Sequence, residues 1–108
     1  MSKTPKEYFA EMPAAFQKDL AADLNATYMF ELGGEDGGTW FVRISNGELE
    51  IGEGAKENPD VVLRADAKDY VDIAEGRSNA MLAMATGKFK IQGNLGLAMK
   101  LEKVFKRP

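Results

Sequence analysis

The stretch GKFKIQGNLGLAMKL, Gly87 to Leu101, passes from a strand through a turn into a helix. Phe89 and Ile91 alternate with Lys88, Lys90 and Gln92, the period-two pattern of a half-buried strand. Gly93 supplies the turn, and Asn94 stands where a helix needs a side-chain cap. The helix that follows is predicted to run to about Phe105. At about 100° per residue, Leu97, Ala98, Leu101, Val104 and Phe105 fall on one stripe, wide enough to seal a core. Leu95 and Met99 fall outside it. Further along, that second stripe becomes Glu102, Lys103 and Lys106. The helix is therefore apolar on two sides in its first turns and on one side afterwards. Two readings fit: Leu95 and Met99 pack on neighbouring short helices, or they cover something apolar that is not protein.

Working upstream, Ser78 is read as the cap of a short helix carrying Met81, Leu82, Met84 and Ala85, stopped by Gly87. Methionine is flexible and polarizable, and it recurs on surfaces that accept varied apolar partners. Before it, Asp66 caps a helix with Tyr70, Ile73 and Ala74 on one face, and Gly76 ends it. Four alternating strands come earlier still: Ala26 to Leu32, Thr39 to Ile44, Glu48 to Gly52 and Asp60 to Ala65. Asn46-Gly47 is a strong hairpin signal. The connections read as three successive hairpins, so an antiparallel meander is expected. At the start of the chain, Thr4-Pro5-Lys6-Glu7 has the form of a capping box with proline at the first helical position. Phe9, Met12, Phe16, Leu20 and Leu24 follow at helical spacing, with Pro13 expected to break or bend the helix. The whole is an α+β fold with a five-stranded, largely antiparallel sheet covered by four to five helices.

Composition excludes much chemistry. The 108 residues make one domain, residues 1–108, able to bury one core without staples. With no cysteine and no histidine there is no disulfide, thiolate nucleophile, His-metal site or imidazole catalyst. The glycine turn at 33–38 lacks the phosphate-loop pattern and joins two strands. The acids Glu48, Glu50, Glu53, Glu57 and Asp60 lack calcium-loop spacing. Asp66, Asp69 and Asp72 serve a cap and the helix dipole. No acid-base pair emerges, so no enzyme, cofactor or metal is expected. A net charge of −3 gives no attraction for nucleic acid. Its distribution is uneven: residues 1–87 hold 8 basic and 16 acidic side chains, residues 88–108 hold 6 and one. That asymmetry suits either an anionic membrane or simple compensation of a helix dipole. No run approaches the roughly 18 apolar residues of a membrane span, and MSKTPKEYF has no secretory pattern. The ending Lys106-Arg107-Pro108 is no peroxisomal tripeptide. A cytoplasmic protein is expected.

The chain resembles the sterol carrier protein 2-like domain family from about Thr4 to Leu101. The residues that carry the likeness are Thr39-Trp40 with its alternating strand, Asn46-Gly47, Glu75-Gly76 with Asn79-Ala80, and above all GKFKIQGNLGLAMKL. The resemblance implies an apolar tunnel between sheet and helices, no catalytic residues, and a lipid cargo: fatty acid, fatty acyl-CoA, phospholipid or sterol. It places the ligand-binding wall at Trp40, Met81, Met84, Ala85, Phe89, Leu95 and Met99. Lys88, Lys90 and Lys100 are the expected contacts for a polar headgroup or a membrane surface, touched transiently by a monomer or weak dimer. Peroxisomal members continue beyond the last helix; this sequence does not, which points to a prokaryotic cytoplasmic protein. The alternative function is an accessory protein presenting an apolar groove to an enzyme of lipid or quinone synthesis.

Overall fold

A computed structural model of the protein describes residues 4–105. Residues 1–3 and Lys106-Arg107-Pro108, with the leader, charge and targeting readings placed on them, lie outside the described residues. The chain runs α1 (Pro5–Ala15), a single 3-10 turn (Lys18–Ala21), β1 (Asn25–Gly33), β2 (Gly38–Ser45), β3 (Glu48–Glu53), β4 (Val61–Asp66), α2 (Ala67–Ala74), α3 (Ala80–Ala85), β5 (Phe89–Gly93) and α4 (Leu95–Lys103). The five strands form one sheet in the order β3-β2-β1-β4-β5.

The hairpins read from sequence hold for the first three strands. β1 pairs antiparallel with β2, placing Phe30 opposite Trp40, and β2 pairs antiparallel with β3. Asn46 and Gly47 both have positive φ, 49° and 83°, as the tight turn requires. The meander fails at β4, which lies parallel to β1 rather than beside β3. Residues 54–60 carry the chain across the back of the sheet. They leave β3 with Gly54 N–H donating to Thr39 O (2.8 Å), and on the way Lys56 Nζ stands 4.8 Å from the Phe41 ring centroid. β1 departs from simple alternation. Tyr28, Phe30 and Leu32 are buried toward the helices, but Thr27 and Met29, on the opposite face, are buried too. A central strand covered on both sides loses the alternation that a half-solvated strand keeps.

Asp60 closes the crossing. Its backbone N–H donates to Thr27 O and its carboxylate accepts from Thr27 N–H, both at 2.8 Å. Its carbonyl accepts from Asn94 N–H at 3.2 Å. Gly93 fits only as glycine, because its φ is 102° and a Cβ there would lie 2.2 Å from Asp60 O.

On the helical side, Phe9 of α1 is the centre of an aromatic cluster. Its ring stacks on Trp40 (5.1 Å) and Tyr70 (5.9 Å) and meets Phe30 edge-on (5.0 Å). The capping box at Thr4 and Glu7 is formed. Pro13 sits inside α1, which ends two residues later at Ala15. The break resets the helical phase, so the stripe predicted from Phe9 to Leu24 is not continuous: Leu24 is buried but Leu20 is exposed. Phe16 instead bridges to Phe105, and Gln17 N–H donates to Val104 O at 2.8 Å. Two caps differ from expectation. Asn79, not Ser78, caps α3, with its side chain accepting from Met81 N–H and Leu82 N–H. Asp66 occupies the cap position of α2 without a side-chain bond. α4 ends at Lys103, two residues before the predicted Phe105.

Replacing Asp60 by alanine leaves the buried Thr27 N–H without its acceptor. A loss of about 2 kcal/mol is expected from that orphaned donor. It should lower the urea unfolding midpoint; an unchanged midpoint would mean that Thr27 finds another partner.

Candidate functional site

α4 is fixed at its first turn by two bonds. Asn94 Oδ1 accepts from Leu97 N–H (3.1 Å), completing the predicted cap. The phenol of Tyr28, rising from the floor of the sheet, donates to Leu97 O (2.7 Å). At its far end the Gln17 backbone and side chain hold Val104 O and Lys103 O. Between those ties, the predicted core stripe is inward. Leu101 and Val104 are buried, and Leu97, Ala98 and Phe105 pack against the core.

The second stripe faces out. Leu95 is 52% exposed and Met99 59%. On α3, only Ala83 is buried, while Met81 (78%), Leu82 (67%) and Met84 (38%) are exposed. Five of the six exposed large apolar side chains among the described residues thus sit on α3 and α4, which both contact β5. Single exposed leucines need no explanation; a concentration of this kind marks a surface that something else covers.

The remaining sequence-predicted residues are divided. Trp40 and Phe89 are buried in the core, and Ala85 is exposed. Trp40 faces Phe9 rather than open space, so beneath this end of the expected tunnel the volume is filled by an aromatic side chain. Lys88 and Lys90 come together at an open cleft of about 670 Å³, along with Glu31, Arg64, Asp66 and Asp69. This cleft reaches the face of the sheet opposite the helices, where Arg64 bonds Glu31 and Gln92. Lys100 is not part of it. A second cleft of about 370 Å³ lies between the Gly33–Asp36 turn and the start of α2. Among the described residues no group of His, Cys, Asp or Glu could hold a metal ion, and no helix is long and apolar enough to cross a membrane.

Three residues have positions that the sequence reading did not assign to the site. Leu82 lies on α3 beside the methionines and is as exposed as they are. Phe9 plugs the space beside Trp40. Tyr28 tethers α4; its only signal was a hydroxyl on the otherwise apolar row Tyr28, Phe30, Leu32. Burial, with Asp60 adding, pushes the Tyr28 phenol up from 10.0 to about 12. Burial also raises Tyr70, reinforced by Tyr8.

Comparison with known proteins concerns the chain as a whole. The family described as SCP-2 sterol transfer matches residues 7–106. Among curated proteins, hydroxysteroid dehydrogenase-like protein 2 is 38% identical in Rattus norvegicus, over 93% of this chain, and 37% identical in Homo sapiens, over 92%. The chain spans only 21% and 24% of their lengths. Among solved structures, the sterol carrier protein domain 2 of Helicoverpa armigera superposes with a TM-score of 0.75 at 31% identity, covering 95% of this chain and 90% of that one. The sec-alkylsulfatase Pisa1 from Pseudomonas sp. shares the fold at TM-score 0.84, but at 18% identity and over 17% of its own length.

The Tyr28 tether has a pH signature. An unfolded phenol ionises near pH 10, whereas in the folded protein Tyr28 holds its proton to about 12. Between those values the unfolded chain has lost a proton that the folded one retains, so stability falls as pH rises from about 10 to about 12. Tyr28→Phe should lessen that alkaline loss and cost about 1 kcal/mol at neutral pH. Amide exchange at the start of α4 should quicken. Exchange unchanged in the variant would show that α4 is held without the tether.

Proposed function

Because the chain belongs to the SCP-2 sterol transfer family, a family of lipid-binding domains, we propose that it is a non-catalytic carrier of an apolar lipid. The cargo is a fatty acid, fatty acyl-CoA, phospholipid or sterol-like molecule. The observation that carries this reading is the outward stripe Leu95–Met99, opposite a complete core stripe on the same helix. A helix that already seals its core gains nothing from a second apolar face unless that face meets a ligand.

In the proposed mechanism an acyl tail inserts between α3 and α4 toward Phe89, with Met81, Met84, Ala85, Leu95 and Met99 closing over it. Trp40 forms the far wall, behind Phe9. Each CH₂ removed from water contributes about 0.8 kcal/mol, so a long tail supplies useful affinity without any directed bond. Lys100, on α4 itself, then meets an anionic headgroup at the surface, whereas Lys88 and Lys90 border the cleft that reaches the other face of the sheet. No acid-base or nucleophilic group is needed, because the cargo enters and leaves unchanged.

One observation favours a second reading, in which the domain presents its ligand to an enzyme. Its 38%-identical relative is a dehydrogenase-like protein of which this chain spans about a fifth. A pull-down yielding one stoichiometric enzyme partner, with no lipid, would favour that role.

Native mass spectrometry of protein from its own host, followed by solvent extraction, tests the carrier directly: a lipid at near one-to-one stoichiometry is expected. Leu95→Lys and Met99→Lys should each abolish binding of a fluorescent fatty acid. Because both positions are exposed, stability should change by no more than about 0.5 kcal/mol. Lipid affinity surviving in both variants would place the ligand elsewhere.

A further inference from the structure

One apolar row crosses the sheet on its helical side. Ile91 of β5 pairs with Leu63 of β4, Leu63 with Phe30 of β1, and Phe30 with Trp40 of β2. Neighbouring strands lie about 4.8 Å apart, so the row runs for about 14 Å. It begins on β5, the strand that α3 and α4 both contact, and it ends at Phe9. Phe9 is 3% exposed. Its ring lies nearly parallel to Trp40 (14°) and to Tyr70 (4°), and Phe30 meets it edge-on. The Phe9 ring therefore occupies a site with flat aromatic walls. Such a site favours a planar ring over a flexible chain, because offset stacking adds to the burial of area.

The element that carries Phe9 is lightly anchored. Pro5 and Phe9 are the buried residues of α1, whereas Lys6, Glu7, Ala10 and Glu11 are exposed. Pro13 interrupts the helix near its end, since it has no N–H to donate and its ring crowds the preceding turn. Beyond Pro13 the chain is fastened to α4, through the Phe16–Phe105 bridge and the bonds of Gln17. α1 is thus pinned to α4 at one end and holds a single ring at the far end of the row.

We propose that Phe9 is a resident plug that the cargo replaces. α1 turns about Pro13, the Phe9 ring leaves, and a flat unsaturated ring at the end of the cargo's tail stacks on Trp40 and Tyr70 in its place. The proposal deepens the carrier reading and rests on it. It adds the class of cargo: an apolar lipid whose tail ends in a planar ring. Exchange of ring for ring is nearly balanced, because burial and stacking are lost by one and gained by the other. A saturated tail reaching the same depth would recover the buried area without the stacking.

The test titrates the full chain with ω-phenyldodecanoic acid and with stearic acid, which has the same number of carbons. Trp40 is the only tryptophan, so its emission reads this site alone. The phenyl-tipped acid is expected to bind roughly fivefold more tightly. It should also shift the Trp40 emission and quicken hydrogen exchange of the α1 amides. Phe9→Leu weakens the plug by removing its stacking, so the phenyl-tipped acid should bind this variant several-fold more tightly still. The comparison of the two acids needs no variant and decides the matter even if Phe9→Leu fails to fold. Equal affinities, or tighter binding of stearic acid, would overturn the exchange. So would binding of the phenyl-tipped acid with α1 exchange and Trp40 emission unchanged, which would make Phe9 permanent packing. In those outcomes stearic acid still binds and the carrier reading stands; if neither acid binds, that reading fails and the exchange with it.

Discussion

Asp60 is one residue in a connecting loop, and three elements depend on it. Its carboxylate and backbone N–H hold the two sides of Thr27, fixing the level at which β4 joins β1. Its carbonyl takes the Asn94 N–H and stands so close to Gly93 that no side chain fits there. The end of β5 and the first turn of α4 are thereby placed over Tyr28, whose phenol completes the attachment. If Asp60 were displaced, the sheet would lose its register reference and the final helix its starting point. Buried polar groups are expensive when unpaired, so a carboxylate that satisfies a backbone donor at this junction is a strong positional constraint.

The two ends of the interior are treated differently. Near Trp40, protein fills protein: Phe9, Phe30 and Tyr70 close the space with ring contacts of 5.0 to 5.9 Å. Near β5, apolar side chains stand in solvent on two short helices. A molecule that only had to be stable would have buried Leu95 and Met99 or replaced them with polar residues. Their exposure is a cost in solubility, and binding is the reading that gives the cost a purpose. Phe9 fills the space beside Trp40 from α1.

Much of this was legible in the sequence because the signals were local. The capping box at Thr4, the Asn46-Gly47 turn, each strand's alternation and the two stripes of α4 all depend on residues a few positions apart. What failed depended on distant residues or on phase. Nothing within residues 53–60 tells which strand β4 will join, so a hairpin was expected where the chain crosses over. The burial of Thr27 on the outer face of β1 likewise depends on distant residues, Asp60 and Arg43. Leu20 looked continuous with Phe9 because Pro13 resets the helical phase between them. For the site, the wheel singled out Leu95 and Met99. It could not show that Trp40 is occupied by Phe9, a contact between α1 and β2 with no sequence trace.

The crossover also sets the order in which the chain can assemble. The β1–β2 and β2–β3 pairings close through short turns, so a three-stranded hairpin can form early. β1 then has one open edge until β4 arrives, and the bond that secures β4 spans 33 residues. Such non-local contacts slow folding, because loop entropy is lost before pairing compensates for it. Until then the second edge of β1 is an unprotected template for other strands. A chain interrupted before residue 61 would keep that edge permanently, so it should collect in β-rich aggregates rather than as a smaller folded domain. Soluble, monodisperse protein from such a truncation would refute that ordering.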